Sequence, residues 1–231
     1  MLKVLENAVP VACWSCSVAH NESTLFCPDC SKIQPPSSGD YFSVFGLTPR
    51  LNIDLSALEQ EFHRLSRRLH PDRFARASEN EKEWSLADTA LLNNAYRTLK
   101  DPLRRTEYLL KLEGAELGAP AASPSPATFR QNQEKNLLEE VFDLNMQLEE
   151  TRRSKKLGQE DPELKESLRK AKEKFAGLVD AVDRDLRAQW AIWDAGDAAA
   201  RQPAQRAMVA LLDRRRYLSN LVRDVTEVLG D

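Results

Sequence analysis

Leu58-Glu59-Gln60-Glu61-Phe62-His63-Arg64-Leu65-Ser66-Arg67-Arg68-Leu69-His70-Pro71-Asp72 carries two superimposed patterns, and reading both decides the architecture. Leu58, Phe62, Leu65 and Leu69 recur at i, i+4, i+7 and i+11, the spacing of one buried helical face. His63, Arg64, Arg67 and Arg68 fall on the opposite face, and Phe62 to Arg76 holds five arginines against one carboxylate, Asp72. Pro71 fixes its own φ and disfavours helical geometry at His70, so the helix stops there and His70 and Asp72 are displayed on a bend. A candidate capping box of Ser56 and Glu59 opens this helix, with Asp54 as the alternative cap.

Downstream, Trp84, Ala87, Leu91, Ala95 and Thr98 or Leu99 repeat at helical spacing and predict a second helix packed antiparallel on the first. Tyr41, Phe42, Val44, Phe45 and Leu47 form a short apolar segment before this hairpin, and Leu103, Tyr108, Leu109 and Leu112 form another after Pro102. The tripeptide on its own is a helix terminus with a solvated loop. Its coincidence with a cationic face and a following helix makes it a recognition turn for another protein. Residues 40–113 resemble a J-domain through Tyr41-Phe42-Ser43-Val44-Phe45-Gly46-Leu47, the basic helix, His70-Pro71-Asp72 and Asn94-Ala95-Tyr96-Arg97-Thr98-Leu99-Lys100-Asp101-Pro102-Leu103-Arg104-Arg105. That resemblance implies that His70, Pro71 and Asp72 contact a DnaK-type heat-shock ATPase and stimulate its hydrolysis of ATP. Arg64, Arg67, Arg68 and Arg73 would steer and hold its acidic surface.

All four cysteines of the chain precede this segment, as Cys13-Trp14-Ser15-Cys16 and Cys27-Pro28-Asp29-Cys30 with ten residues between the pairs. Four thiolates suit the tetrahedral shell of structural Zn²⁺ and leave no open position for catalysis by the ion. Disulfides would need an oxidising compartment, and no secretion signal is visible; a dithiol redox centre would need a βαβ pattern, which is also missing. Structural zinc leads these alternatives, in a knuckle over residues 1–37 too short to bury its own core. Trp14 and Phe26 are expected to cover the site, with His20 in a loop. Gln34-Pro35-Pro36-Ser37-Ser38-Gly39 is a linker, and Gly114 to Ala127 is a second one with three prolines and two glycines.

Three helical patterns follow, in a region expected to span residues 128–231: from about Phe129 to Leu157, from Asp161 or Pro162 to about Trp193, and from about Pro203 to Leu229. Short turns between them predict an antiparallel three-helix bundle, so the fold class is mainly α. Leu164, Leu168, Ala171, Phe175, Leu178, Val182, Leu186 and Trp190 make the core stripe of the second helix. Met208, Leu211, Leu212, Leu218, Leu221, Val222, Val225 and Leu229 face inward from the third. The first helix has two stripes: Leu137, Val141, Leu144 and Leu148, and then Leu138, Phe142 and Met146, rotated by about 100° from them. Either the core face is wide or the second stripe meets a partner.

A J-domain followed by such a bundle, with Leu137-Leu138-Glu139-Glu140-Val141-Phe142-Asp143-Leu144-Asn145 opening it and Arg216-Tyr217-Leu218 in its last helix, resembles the HscB family of iron-sulfur co-chaperones. The resemblance implies a bundle that binds the iron-sulfur cluster scaffold protein and a J-domain that delivers it to a DnaK/HscA-type chaperone. The scaffold contact then falls on Leu138, Glu139, Phe142, Asp143, Met146, Glu150 and Tyr217. Two positions depart from the family pattern: Glu139 replaces an apolar residue and Met146 an acid. The four-cysteine knuckle recurs in some members of that family.

Composition restricts the other function classes. With 33 Lys and Arg against 36 Asp and Glu, the formal charge is −3, so general nucleic-acid binding is disfavoured and the basic patch is local. No apolar run approaches the roughly 20 residues of a bilayer span. An enzyme is disfavoured because there is no Gly-rich phosphate loop and none of the three histidines stands beside a nucleophile. The expected role is therefore ATPase activator of a partner, without catalysis of its own. A general protein-folding J-protein is the nearer alternative, and a zinc-knuckle nucleic-acid binder the more distant one. The absence of an Arg-rich presequence favours a bacterial cytoplasmic location, with the mitochondrial matrix as the alternative.

Overall fold

The computed structural model describes residues 10–21, 24–36, 39–118, 134–159 and 161–230, and they are mainly helical. Contacts divide the chain into two compact units, Met1–Ala115 with Trp193–Gln202, and Glu116–Ile192 with Pro203–Asp231. Among the described residues no helix is long and apolar enough to cross a membrane.

In the first unit a two-stranded antiparallel ribbon, β1 (Pro10–Ala12) and β2 (Ala19–Asn21), pairs Val11 with His20. His20 is therefore a strand residue, not the loop residue its position suggested. Its Nε2 lies 3.0 Å from Gln34 Oε1, and both side chains are buried. Each Cys-x-x-Cys pair is a tight turn closed by the same two bonds: Ser17 N to Cys13 O and Cys13 N to Val18 O, then Ser31 N to Cys27 O and Cys27 N to Lys32 O. Ser17 and Ser31 take φ of 63° and 57°, the left-handed conformation that lets the chain turn back beside the cysteines.

Four helices complete the unit: α1 (Tyr41–Val44), α2 (Leu55–Leu69), α3 (Glu79–Lys100) and α4 (Pro102–Leu112), with a one-turn 3-10 helix at Pro71–Phe74. α1, α2 and α4 all pack on α3. Each helix start is capped: Asp40 opens α1, Asp101 opens α4 ahead of Pro102, and Asp54 opens α2 by accepting from Ser56 N and Ala57 N. The Ser56–Glu59 box does not form: Asp54 already accepts from Ser56 N, and the Glu59 carboxylate accepts from Tyr96 Oη at 2.9 Å instead. The capping box of this unit is Ser78 with Glu81, at the start of α3.

Leu58, Leu65 and Leu69 of α2 are buried, while Phe62 is half-buried and stacks on Tyr96 with ring centroids 4.1 Å apart. The buried stripe of α3 is Glu81, Ser85, Asp88, Leu92, Ala95 and Leu99, a correction to the expected stripe. Ala87 is exposed, and Trp84 and Leu91 are half-buried. Half of this seam is polar, so apolar periodicity alone pointed to a neighbouring face. The Ser85 hydroxyl is satisfied by donating to Leu69 O at 2.7 Å.

Loop 45–54 is held from within the same unit. The Asp194 carboxylate accepts from Leu51 N at 2.9 Å and from both Asn52 N and Asn52 Nδ2 at 2.8 Å. The buried Arg105 donates to Leu51 O and Leu99 O, and burial pulls its guanidinium below its usual range, against the pull of Asp101 and Asp194.

The second unit is built on α5 (Glu134–Lys156), α6 (Pro162–Ala195) and α7 (Ala198–Leu229). Its core joins Leu137, Val141, Leu144 and Leu148 with Leu168, Phe175 and Val182, and with Leu218, Leu221, Val225 and Val228. Arg215 pairs bidentately with Asp183, tying α7 to α6. α7 begins at Ala198 and contains Pro203, where Pro203 had been expected to open it. Asp197 accepts from Ala199 N and Ala200 N at 3.0 Å and so starts the helix upstream; the proline then removes a single backbone donor within the second turn. Residues 128–133, assigned by sequence to the start of the bundle, lie outside the described residues.

Candidate functional site

Three clusters carry the chemistry. The first is the bend after α2. His70 ends the helix at φ −56°, ψ 129°, and its Nδ1 accepts from Asp72 N at 3.3 Å. A neutral ring in this geometry holds its proton on Nε2. His70, Pro71, Asp72 and Arg73 are all exposed, and the Asp72 side chain is 91% accessible. The residues singled out here are thus presented together on one short turn.

The neighbouring arginines differ in what they have left to offer. Arg64 donates through Nε and Nη2 to Glu61, a bond that is the main reason the Glu61 carboxyl sits below its usual range. Arg67 Nε donates to His63 O at 3.2 Å. Arg68 lies with its guanidinium carbon 3.9 Å from the centroid of the Phe26 ring. Burial lowers the Arg68 pKa, as do the neighbouring charges of Arg64 and Arg73.

The second cluster is the cysteine cage. The Sγ atoms of Cys13, Cys16, Cys27 and Cys30 lie within 4.8 Å of one another, with Cys13 to Cys30 and Cys16 to Cys27 both at 3.6 Å, so the four could hold one metal ion. Burial opposes ionisation of Cys13, but the backbone N–H groups of Cys16 and Ser15 and the nearby thiols outweigh it and lower its pKa to about 6. Cys16 is pushed up to about 12: Val18 N–H favours its thiolate, and burial with the three neighbouring cysteines overrides that. Four sulfurs this close can all be thiolates only with a cation among them, which is why the Cys16 thiol resists ionisation beside its neighbours. Gln34 Nε2 donates to Cys13 Sγ at 3.4 Å, so the first residue of the expected linker is a working part of the cage. Phe26 is buried beside the cage, whereas Trp14 is 47% exposed and makes an edge contact with Trp84.

The third cluster is the outer face of α5. Leu137, Val141, Leu144 and Leu148 are buried, but Phe142 and Met146 are 66% and 60% exposed, so these two residues of the second stripe are no part of a wide core face. Glu139, Asp143 and Glu150 are exposed beside them. Tyr217 is half-buried against the bundle core, and that burial raises its phenol pKa. The side chain of Leu138 lies outside the described residues.

Comparison with known proteins shows what this arrangement is similar to. No family model matches the chain. The iron-sulfur cluster co-chaperone protein HscB of Homo sapiens is 34% identical over 142 residues, covering 60% of this chain and 57% of that protein. A co-chaperone protein HscB homolog of Vibrio cholerae is 49% identical over 80 residues, covering 35% of this chain and 47% of that protein. The alignments thus span about half the length of the curated relatives. The crystal structure of the human co-chaperone HscB superposes with a TM-score of 0.64 at 26% identity, over 94% of this chain and 98% of that one. In sequence and in fold the chain is similar to HscB co-chaperones. It pairs a mainly helical fold with a cysteine cluster suited to metal, the combination expected from its sequence. Sequence reading missed the aromatic and ionic contacts between the knuckle and α2 or α3, because Trp14–Trp84 and Phe26–Arg68 are long-range pairs with no periodic signature.

Proposed function

We propose that this chain binds an iron-sulfur cluster scaffold protein on the outer face of α5 and presents it to a DnaK/HscA-type chaperone, whose ATPase it stimulates through the turn after α2. The observation that carries this reading is the joint display of His70, Pro71 and Asp72 at a helix end flanked by cations. His70, Pro71, Asp72, Arg64, Arg67, Arg68 and Arg73 form the chaperone contact. Leu138, Glu139, Phe142, Asp143, Met146, Glu150 and Tyr217 form the scaffold contact. Holding both partners on one chain raises the effective concentration of each near the other.

Cys13, Cys16, Cys27 and Cys30 hold a structural zinc in this reading. A tetrahedron with Zn–S of about 2.3 Å has edges of about 3.8 Å, close to the 3.6 Å separations in the cage. With every position taken by sulfur, the ion supplies folding energy and no hydrolytic chemistry.

His70→Gln tests the docking role. It should abolish stimulation of the chaperone's ATPase while leaving scaffold affinity unchanged, as read by steady-state ATP turnover and by calorimetry with the scaffold. Stimulation retained at the wild-type level would overturn the assignment.

A further inference from the structure

Two contacts from the cysteine knuckle grip the chain on either side of the His70-Pro71-Asp72 turn. Before the turn, the Phe26 ring lies under the Arg68 guanidinium at 3.9 Å. After it, Lys32 Nζ reaches Glu81 Oε1 at 3.0 Å, and Glu81 is the residue whose other oxygen closes the capping box with Ser78 at the start of α3. Trp14 adds an edge contact to Trp84 one helical turn further on, with its Nε1 anchored on Ile33 O at 2.7 Å. Phe26 directly precedes Cys27, Lys32 follows Cys30 by two positions, and Trp14 lies between Cys13 and Cys16. All three therefore take their places from the cage.

We infer that the knuckle is a positioning element for chaperone docking, with Phe26 holding the Arg68 guanidinium ready for carboxylates of the partner. Stacking occupies the face of a guanidinium and leaves its in-plane donors free, which is the geometry that accepts a carboxylate in a fork. None of the Arg68 N–H groups has a hydrogen-bond acceptor recorded among the described residues, whereas Arg64 spends donors on Glu61 and Arg67 one on His63 O. Arg68 is thus oriented without being consumed, two positions before His70. Fixing it beforehand spares the complex the cost of ordering a long side chain.

This inference rests on the docking role proposed above. Its test uses the full chain titrated into a DnaK-type chaperone, reading steady-state ATP turnover for both the half-maximal co-chaperone concentration and the maximal rate. Phe26→Leu keeps apolar bulk beside the cage and removes the aromatic face. It should raise the half-maximal concentration about threefold or more, with the maximal rate, bound metal per chain and melting temperature unchanged. Phe26→Tyr restores the face and should restore the wild-type midpoint. Arg68→Ala should shift the midpoint as far as Phe26→Leu or further, and the double variant should match Arg68→Ala, because the two residues act as one unit. A wild-type midpoint in Phe26→Leu, or strictly additive shifts in the double variant, overturns the positioning role alone. A wild-type protein that fails to stimulate turnover at all removes the docking role and this inference with it.

Discussion

Asp88 is fully buried on α3, and neither of its carboxylate oxygens has a hydrogen-bond partner. Burial alone lifts its carboxyl from the ordinary range to about 7. An unfolded aspartate titrates near 3.9, so between about pH 4 and pH 7 the folded state holds a proton that the unfolded chain has released. The stability contributed by this group therefore falls as pH rises through that window, by up to about 1.4 kcal/mol per unit, and levels off above it. Asp88→Asn removes the ionisation. It should stabilise the protein relative to wild type by on the order of 2 kcal/mol more at pH 8 than at pH 5, read by denaturant melts at the two values. An equal difference at both pH values would mean that Asp88 ionises without penalty. The same residue explains a failure of sequence reading. With Ser85 and Asp88 in the seam, the apolar residues of α3 do not trace its buried face, and the polar partners that permit this, such as Leu69 O for Ser85, are visible only once the helices are packed.

At the scale of elements, α5 carries a buried face and an exposed apolar stripe, and the proposed function assigns stability to the first and recognition to the second. Leu144 is buried and Met146, two positions on, is 60% exposed. Leu144→Ala should cost about 2–5 kcal/mol of stability through cavity formation. Phe142→Ala with Met146→Ala should leave the unfolding free energy within about 0.5 kcal/mol of wild type but weaken scaffold binding by about 1 kcal/mol or more. Thermal melts and scaffold calorimetry on both proteins decide it, and unchanged scaffold affinity would leave the exposed stripe without the proposed partner. Both stripes were legible in the sequence because Leu137, Val141, Leu144 and Leu148 leave Phe142 and Met146 outside one helical arc. Helix starts were less legible. Asp54 displaced Ser56 and Asp197 displaced Pro203, since a carboxylate that accepts two N–H groups sets the first turn before the weaker signals act.

For the whole molecule, the cysteine cage is expected to matter beyond its own residues. Chelation should lower the melting temperature and alter the fluorescence of Trp14 and Trp84 while helical circular dichroism persists, because the helices have an apolar core of their own. Loss of helix content on chelation would mean instead that α2 and α3 need the knuckle to fold. The cage itself was legible from four cysteines at two fixed spacings, whereas its docking onto α2 and α3 depends on side chains far apart in the chain.

Asp194 reaches Leu51 across 143 positions, so the first compact unit is discontinuous along the polypeptide. Excision after Ala115 would take the Asp194 carboxylate from the part-buried Leu51 amide and withdraw a negative charge from the neighbourhood of the buried Arg105. An N-terminal fragment cut there should therefore melt below the same unit in the full chain, because the return segment Trp193–Gln202 belongs to its structure.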